Sequence, residues 1–149
     1  MSIETEALFS KMLGLSDEWE VYDSHYDIKE NQFLLKVRET KELHKSQRCP
    51  KDKRRKAKFY DHCEKRRWRH LNVFSNECVI ECALPRFKCL DCDHVFRAKA
   101  PWEGLSKGFS EGFEAFALTL LKEMPVNKAG EILGENDKRL WRLLEAHVN

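Results

Sequence analysis

The sequence lacks any long apolar run, and this absence limits the class of protein first. No stretch approaches the roughly 18–20 consecutive apolar residues that a membrane-spanning helix needs. The first fifteen residues, MSIETEALFSKMLGL, carry early acids and no extended apolar stretch, so they do not form a secretory signal. Internal repeats and low-complexity tracts are also absent. The sequence therefore predicts a soluble, cytoplasmic protein with one ordinary domain or two small ones.

Motifs of catalytic chemistry are missing as well. Four histidines could in principle build a catalytic zinc site with the cysteines: His44, His62, His70 and His94. However, the sequence has no Glu-x-x-His pairing and no nucleophile motif. No set of acidic residues can be assigned to two-metal phosphoryl chemistry. We therefore predict a protein that is not an enzyme and takes no small-molecule substrate.

Positive charge is scarce at the two ends of the chain and concentrated in the middle. Residues 41–70 hold thirteen Lys and Arg against four acids, whereas residues 1–40 hold four against nine. Aromatic residues are interleaved with the basic ones, which a disordered basic tail would usually lack. The alternative is a solvated surface loop. The pattern favours a site for a polyanion in residues 41–70.

Six cysteines, which should stay reduced in the cytoplasm, include a pair with metal-ligand spacing. Cys89-x-x-Cys92 is a knuckle of the kind found in zinc ribbons, and Cys49 opens a second knuckle. The second knuckle has Asp52 where another cysteine would stand. Three completions remain open: Asp52 as an oxygen ligand, His62 or Cys63 from the basic loop, or a decayed site. Cys78 and Cys82 are more simply explained as core residues.

Short strands are predicted before and after the basic region. Residues 3–15 are predicted to form a helix, and strands are predicted over 19–26, 32–38, 67–74, 77–88 and 94–100. Residues 41–58 are predicted to be a polar connection. In the strand over 67–74, Arg67 and Arg69 share one face and could follow a phosphate backbone.

The period changes to helical from Ser110 onward. Pro125 can end one helix and open the next, Gly134 can stop that second helix, and Asn136 or Asp137 can cap a third. The last helix should bury Leu140, Trp141, Leu144 and Val148. Such a pair of short helices is typical of a helix-turn-helix, with Lys138, Arg139 and Arg142 presented by the second helix. A plain helical hairpin is the alternative.

These elements predict an α+β fold: a small zinc-ribbon-like antiparallel β module followed by a C-terminal helix-turn-helix. We divide the chain into an N-terminal helix with strands (1–40), the ribbon-like domain (41–104) and the helical region (105–149). The residues predicted to contact nucleic acid are Lys53, Arg54, Arg55, Lys56, Arg66, Arg67, Arg69, Lys138, Arg139 and Arg142. The residues considered for the metal are Cys49, Cys89, Cys92, Asp52 and Cys63.

Several sequence blocks, taken in order, resemble a known family. They are Cys49-Pro50, Trp68-Arg69-His70-Leu71, Arg86-Phe87-Lys88-Cys89-Leu90-Asp91-Cys92, Ala100-Pro101-Trp102, Glu123-Met124-Pro125-Val126 and Leu140-Trp141-Arg142. The order is similar to the N-terminal region of the ISL-three family of bacterial insertion-sequence transposases, over roughly residues 35–148. The resemblance implies a zinc finger and a helix-turn-helix that bind the ends of the element. It implies one zinc ion on Cys49, Cys89 and Cys92, and it departs from the family pattern at Asp52.

The family places its catalytic carboxylates in a later ribonuclease H-like domain, which this sequence does not contain. We therefore predict a non-catalytic DNA-binding module, truncated or stand-alone, with double-stranded DNA as its partner. A homodimer, or a complex with a full-length transposase, is also predicted. The alternative is an inherited scaffold that now binds protein, and the acidic first 40 residues favour it slightly.

Overall fold

The structure of the protein is a computed structural model that describes residues 3–148. Residues 1, 2 and 149, which fall in the predicted 1–40 and 105–149 segments, lie outside the described residues. The described elements are α1 (Ile3–Met12), β1 (Trp19–Asp27), β2 (Gln32–Glu39), α2 (Lys41–Ser46), β3 (Ala57–His62), β4 (Arg66–Val73), β5 (Asn76–Cys82), β6 (Pro85–Cys89), β7 (Val95–Arg97), α3 (Glu111–Glu123), α4 (Val126–Leu133) and α5 (Asp137–Val148). The predicted α+β class is confirmed. None of these helices is both long and apolar enough to cross a membrane.

The larger sheet has four strands in the order β1-β2-β5-β4. β1 and β2 form an antiparallel hairpin, and β4 and β5 form another. The two hairpins are joined by parallel pairing of β2 with β5, in which Gln32 lies opposite Glu77. The boundary predicted near residue 40 therefore lies inside one continuous sheet, because β2 and β5 come from different predicted segments.

The smaller sheet has the order β3-β6-β7 and is antiparallel. Three predictions are corrected here. The connection over 41–58 contains the helix α2 and the first two residues of β3, Ala57 and Lys58. The strand predicted over 77–88 is two strands, β5 and β6, which belong to different sheets because the chain changes direction at residues 83–84. The strand predicted over 94–100 is only β7.

One apolar core joins the two sheets. Trp102 lies edge-on to Trp19 and to Trp68, with ring centroids 5.3 and 5.5 Å apart. Phe87 of β6 is fully buried in the same cluster. Cys78 and Cys82 are also buried, as predicted. Because tryptophans from β1, β4 and the segment after β7 share this core, the N-terminal strands pack as part of the same body as the ribbon.

The three C-terminal helices follow the local signals of the sequence. The Ser110 hydroxyl accepts a hydrogen bond from the Phe113 backbone N–H at 3.1 Å and caps α3. Gly134 ends α4 in the left-handed region at φ 70°, which favours glycine. The Asn136 side chain accepts from the Lys138 N–H at 2.7 Å and caps α5. A second apolar core forms between these helices, from Phe109, Phe113, Ala117, Ala129, Leu133, Leu140 and Leu143.

The buried face of α5 differs from the prediction. Leu140 is buried as expected, but Trp141 is 55% exposed and Val148 is also exposed. Leu143 takes the second buried position, since α5 meets α3 and α4 along the line of residues 140 and 143. The prediction for Trp141 and Val148 was wrong, because the apolar stripe is rotated by about one residue around the helix.

Candidate metal centre and basic surface

Two tight turns bring the predicted metal ligands together. In the first turn, the backbone N–H of Asp52 donates to the Cys49 carbonyl at 3.2 Å, and the Cys49 N–H donates to the Arg55 carbonyl at 3.0 Å. In the second turn, the Cys89 N–H donates to the His94 carbonyl at 2.9 Å. The Leu90 N–H donates to the Lys56 carbonyl at 3.2 Å, which ties the two turns to each other.

The three cysteines form a compact ligand group. The Sγ atoms of Cys49, Cys89 and Cys92 all lie within 4.8 Å of one another, and those of Cys49 and Cys92 are 3.6 Å apart. Zinc–sulfur bonds of about 2.3 Å in a tetrahedron place sulfur atoms roughly 3.8 Å apart. Cys49 and Cys89 are buried and Cys92 is exposed. The three thiols therefore fit one zinc ion, held between the interior and the surface.

The peptide groups of the second turn favour a thiolate at Cys89. Hydrogen bonds from the backbone N–H groups of Cys92 and Asp91 lower the pKa of Cys89, against the opposing effect of burial. At Cys92, the His94 N–H lowers the pKa, but the neighbouring thiols Cys89 and Cys49 outweigh it together with burial, so the pKa is raised. Crowded thiols of this kind need a cation before all of them can ionise.

Asp52 stands beside this group without joining it. Its carboxylate accepts from the Arg54 N–H at 3.1 Å and lies 3.3 Å from Arg55 Nε. The Arg54 N–H holds the pKa of Asp52 below its ordinary value, with the Arg54 and Arg55 side chains adding to the effect against partial burial. The side chain is therefore an ionised oxygen donor at the predicted position, but it is turned toward the two arginines.

Cys63 and His62 lie far from the three thiols. Ala57 at the start of β3 pairs with Cys89, whereas His62 at the other end pairs with Pro85. Six residues of strand separate Ala57 from Cys63, which is roughly 20 Å at about 3.3 Å per residue. The His62 ring instead contacts Glu39. The structure thus brings Cys49, Cys89 and Cys92 together and leaves Cys63 and His62 at the opposite end of the smaller sheet.

Two of the arginines predicted to contact nucleic acid are paired with Glu135. Arg69 is only 5% exposed, and its guanidinium donates to Glu135, to Asn72 and to the Leu133 carbonyl. Arg139 donates to Glu135 at 2.9 Å and lies over the Phe109 ring at 4.2 Å. The prediction that Arg69 shares an exposed face with Arg67 is wrong. β4 has the core on one face and helices α3 and α4 on the other, so alternation along this strand does not give an exposed side.

Arg139 keeps 38% of its side chain exposed, and the other basic residues of the set except Arg69 are also at least partly exposed. Arg66 and Arg67 pair with the acids Glu103 and Glu81 while keeping part of their side chains in solvent. Arg55 lies between Asp52 and Asp91. Arg67 is exposed on β4, and the other exposed members of the set are Lys53, Arg54, Lys56, Lys138 and Arg142. Apart from Arg67, they fall into two groups, one in the loop of the first turn and one on α5.

Sequence reasoning missed a role for Glu114, which is 2% exposed. Its carboxylate accepts from the backbone N–H groups of Leu105 and Ser106 at 2.9 and 2.8 Å, and from the Ser106 hydroxyl. His147 Nε2 of α5 lies 2.9 Å from the same carboxylate. An acid next to Phe113 in an amphipathic helix was the one available signal, since a charge beside an apolar stripe needs buried partners.

Comparison with known proteins identifies the segment that contains these thiols. Residues 45–92 match the family model of the zinc-finger of transposase IS204/IS1001/IS1096/IS1165. No curated protein and no solved structure matches the chain. The match confirms the resemblance predicted from the sequence over this segment, and with the thiol geometry it confirms zinc as the cofactor. Residues 45–92 are therefore similar to a transposase zinc finger, with both turns inside the matched segment.

Proposed function

We propose that the protein is a non-catalytic DNA-binding module derived from a transposase, with double-stranded DNA as its partner. The observation that carries the proposal is the match of residues 45–92 to a transposase zinc finger whose three thiols are assembled for zinc. The adjoining helices add a second element of a DNA-binding type, because α4 and α5 are joined by a short turn that begins at Gly134.

Two groups of exposed cations support contact with phosphates and base edges. Lys53, Arg54 and Lys56 lie in the loop of the first turn, and Arg54 leaves 92% of its side chain exposed. Lys138 and Arg142 lie on the exposed side of α5, which corresponds to the recognition helix of a helix-turn-helix. Arg69 is left out of the proposed contact surface because it is buried, and Arg139 because its guanidinium is engaged with Glu135 and the Phe109 ring.

Fluorescence anisotropy with a labelled DNA duplex tests the proposal. A random duplex of about 30 base pairs covers roughly three helical turns, which suffices to measure binding that does not depend on DNA sequence. The wild-type affinity should fall steeply between about 50 and 200 mM salt, because each phosphate contact releases counterions. In the Lys138→Ala, Arg142→Ala variant the slope of log affinity against log salt should be smaller by about 2.

A matched control removes the same charge from another part of the chain. Lys11 and Lys29 are both exposed, in α1 and in the β1–β2 turn. The Lys11→Gln, Lys29→Gln variant should keep the wild-type slope. If both double variants changed the slope equally, binding would depend on net charge alone and α5 would have no special part. Absence of any binding at low salt would remove DNA as the partner.

We also propose Asp52 as the fourth zinc ligand. It stands three residues after Cys49, as Cys92 stands three residues after Cys89, and its carboxylate is kept ionised. Zinc accepts carboxylate oxygen at about 2.0–2.2 Å. The carboxylate would have to turn from Arg54 and Arg55 toward the thiols to bind the ion, and Arg55 itself hydrogen-bonds Cys92. The zinc ion would supply rigid linkage of the two turns.

Binding of protein is a second candidate, and one surface favours it. Leu71, Phe116 and Ile132 are exposed large apolar residues around a groove of about 550 Å³ between β4 and the helices α3 and α4. Exposed apolar patches of this kind mark docking surfaces for proteins. A second copy of the chain or a longer transposase would fit there. Analytical ultracentrifugation of wild type and of Ile132→Lys tests this candidate. A wild-type dimer that is lost in the variant supports docking of a second copy in the groove. A wild-type protein that is monomeric rules out self-association.

A further inference from the structure

Three side chains from three elements meet at the end of the smaller sheet that is remote from the cysteines. Glu39 ends β2, His44 lies in α2 and His62 ends β3. The Nε2 atom of His62 is 2.7 Å from Glu39 Oε2, and the Nε2 atom of His44 is 3.6 Å from the same oxygen. Residues that are distant along the chain thus direct two imidazole nitrogens at one carboxylate oxygen.

The Glu39 carboxylate is largely shielded from solvent and has no lysine or arginine partner among residues 3–148. Its side chain is 8% exposed. A buried carboxylate is costly unless it is paired. A histidine supplies the missing charge only when it carries a second proton, whereas a divalent cation supplies it with both imidazoles neutral.

The aromatic surroundings orient both rings toward Glu39. The His44 ring is stacked on Phe59 with centroids 5.3 Å apart and 16° between the planes, and it meets Phe87 edge-on. The His62 ring contacts the same Phe59 at 4.9 Å. Both rings therefore pack against Phe59 on the side of the Glu39 carboxylate. Burial raises the pKa of nearby Cys82 to about 12, with the Glu39 charge adding to the effect.

We propose that Glu39, His44 and His62 form a second metal site, for Zn²⁺ or a similar borderline divalent cation. Two imidazoles and one carboxylate are a donor set that such ions bind at about 2.0–2.2 Å. Among the described residues, only the three cysteines have all ligand atoms within 4.8 Å. The metal must therefore draw the His44 ring toward Glu39 and His62. A cleft of about 410 Å³ lined by Glu39 and His62 leaves the remaining positions to water, so the ion should exchange readily.

This site would have a different structural role from that of the zinc bound by the three cysteines. It joins β2 and α2 to β3, and so it would link the larger sheet to the smaller one at the end remote from Cys89. The inference does not depend on DNA binding, because it rests on these three residues alone.

Equilibrium dialysis of the full chain, with any affinity tag removed, against buffered free Zn²⁺ tests the site. Wild type should bind two zinc ions per chain at saturation, and His62→Gln and Glu39→Gln should each bind one. His25 is exposed on β1, outside the cluster, so His25→Gln is the matched control and should still bind two. The ribbon zinc retained in each variant reports that the protein is folded.

A second measurement identifies the ligands directly. In long-range ¹H–¹⁵N spectra of the histidine rings, Zn²⁺ should shift the Nε2 signals of His44 and His62 and leave those of His25 and His94 unchanged. Wild type that binds one ion at saturation overturns the proposal. A second ion that persists in His62→Gln overturns it as well, because that ion lies elsewhere.

Discussion

Arg69 Nη1 donates to Glu135 Oε1 across 2.7 Å, although the two residues are 66 positions apart in the chain. The Arg69 side chain is 5% exposed and that of Glu135 is 8% exposed, so the ion pair is shielded from solvent. The same guanidinium donates to the Leu133 carbonyl at the end of α4 and lies 4.8 Å over the Phe113 ring. One side chain of the larger sheet therefore fixes the end of α4 and the start of the turn to α5.

Arg69→Met should destabilise the protein by about 1.5–3 kcal/mol, because it removes the charged donor to Glu135, Asn72 and the Leu133 carbonyl and leaves Glu135 with Arg139 alone. Arg67 on the same strand is the matched control. It pairs with Glu81 at 2.9 Å but leaves 58% of its side chain exposed, so Arg67→Met should cost about 0–1 kcal/mol. Urea unfolding at pH 7 measures both values. Equal losses in the two variants would contradict the structural role assigned to Arg69.

Asp52→Ala should weaken zinc binding about 10-fold or more, and Asp52→Cys should strengthen it, because thiolate is the softer ligand. Competition with a chromophoric chelator measures the affinity. Asp91, which is exposed next to Cys92 and pairs weakly with Arg55, offers the control Asp91→Ala. If Asp52→Ala and Asp91→Ala weakened zinc equally, the effect would be one of local charge, and the fourth ligand would have to be water or another group.

Glu114 should make the stability of the helical region depend on acid pH. Burial acts to raise the pKa of Glu114, but the hydrogen bonds from Ser106, His147 and Leu105 outweigh it, so the folded pKa lies below its ordinary value of 4.5. A group whose folded pKa is depressed contributes stability that is complete above the unfolded value. That contribution is lost as the pH falls below about 4.5 toward the folded pKa.

The comparison of wild type with Glu114→Gln isolates this contribution. The variant should be less stable by about 1.5–3 kcal/mol at pH 7, since hydrogen bonds to a charged group are lost. The difference between the two proteins should shrink below about pH 4.5, where the wild-type carboxylate becomes protonated. Thermal unfolding of both proteins at several pH values between about 3 and 7 measures the difference in stability. A gap that stayed constant with pH would mean that the lost stability is due to packing.

Trp141 should report DNA binding through its own fluorescence. Trp19, Trp68 and Trp102 are 4%, 0% and 6% exposed, whereas Trp141 is 55% exposed on α5 between Lys138 and Arg142. Acrylamide should therefore quench one tryptophan strongly in the free protein, and duplex DNA should protect it. Trp141→Phe should abolish the quenchable fraction and leave the fold intact. Quenching that duplex DNA does not change would place α5 outside the contact surface.

The sequence predicted best those elements that depend on neighbouring residues. Pro125, Gly134 and Asn136 act within one helical turn, so α4 and α5 could be delimited without knowing what they pack against. The Cys89-x-x-Cys92 turn is local in the same sense. Non-local partners decided the rest. Arg69 faces inward because helices from residues 111–133 cover its side of β4, and no pattern within the strand records that.

The exclusion of Cys63 from the thiol group has the same cause. In the sequence Cys63 is only 14 positions from Cys49, but β3 runs away from the zinc ribbon turns because it pairs antiparallel with β6. The direction of β3 could not be predicted without knowing that β6 is its pairing partner. The inward rotation of Leu143 in place of Trp141 likewise follows from how α5 meets α3 and α4.

The parallel pairing of β2 with β5 sets an order of events during synthesis. This edge of β2 is paired only once β5 is available, since Gln32 lies opposite Glu77, 45 positions later in the chain. Until then the N-terminal hairpin presents an open strand edge, which other chains can pair with. β5 ends at Cys82, so the larger sheet needs no residue beyond 82 for its strand pairing, whereas the thiol group also needs Cys89 and Cys92. Capture of the metal by all three thiols can therefore follow closure of the larger sheet.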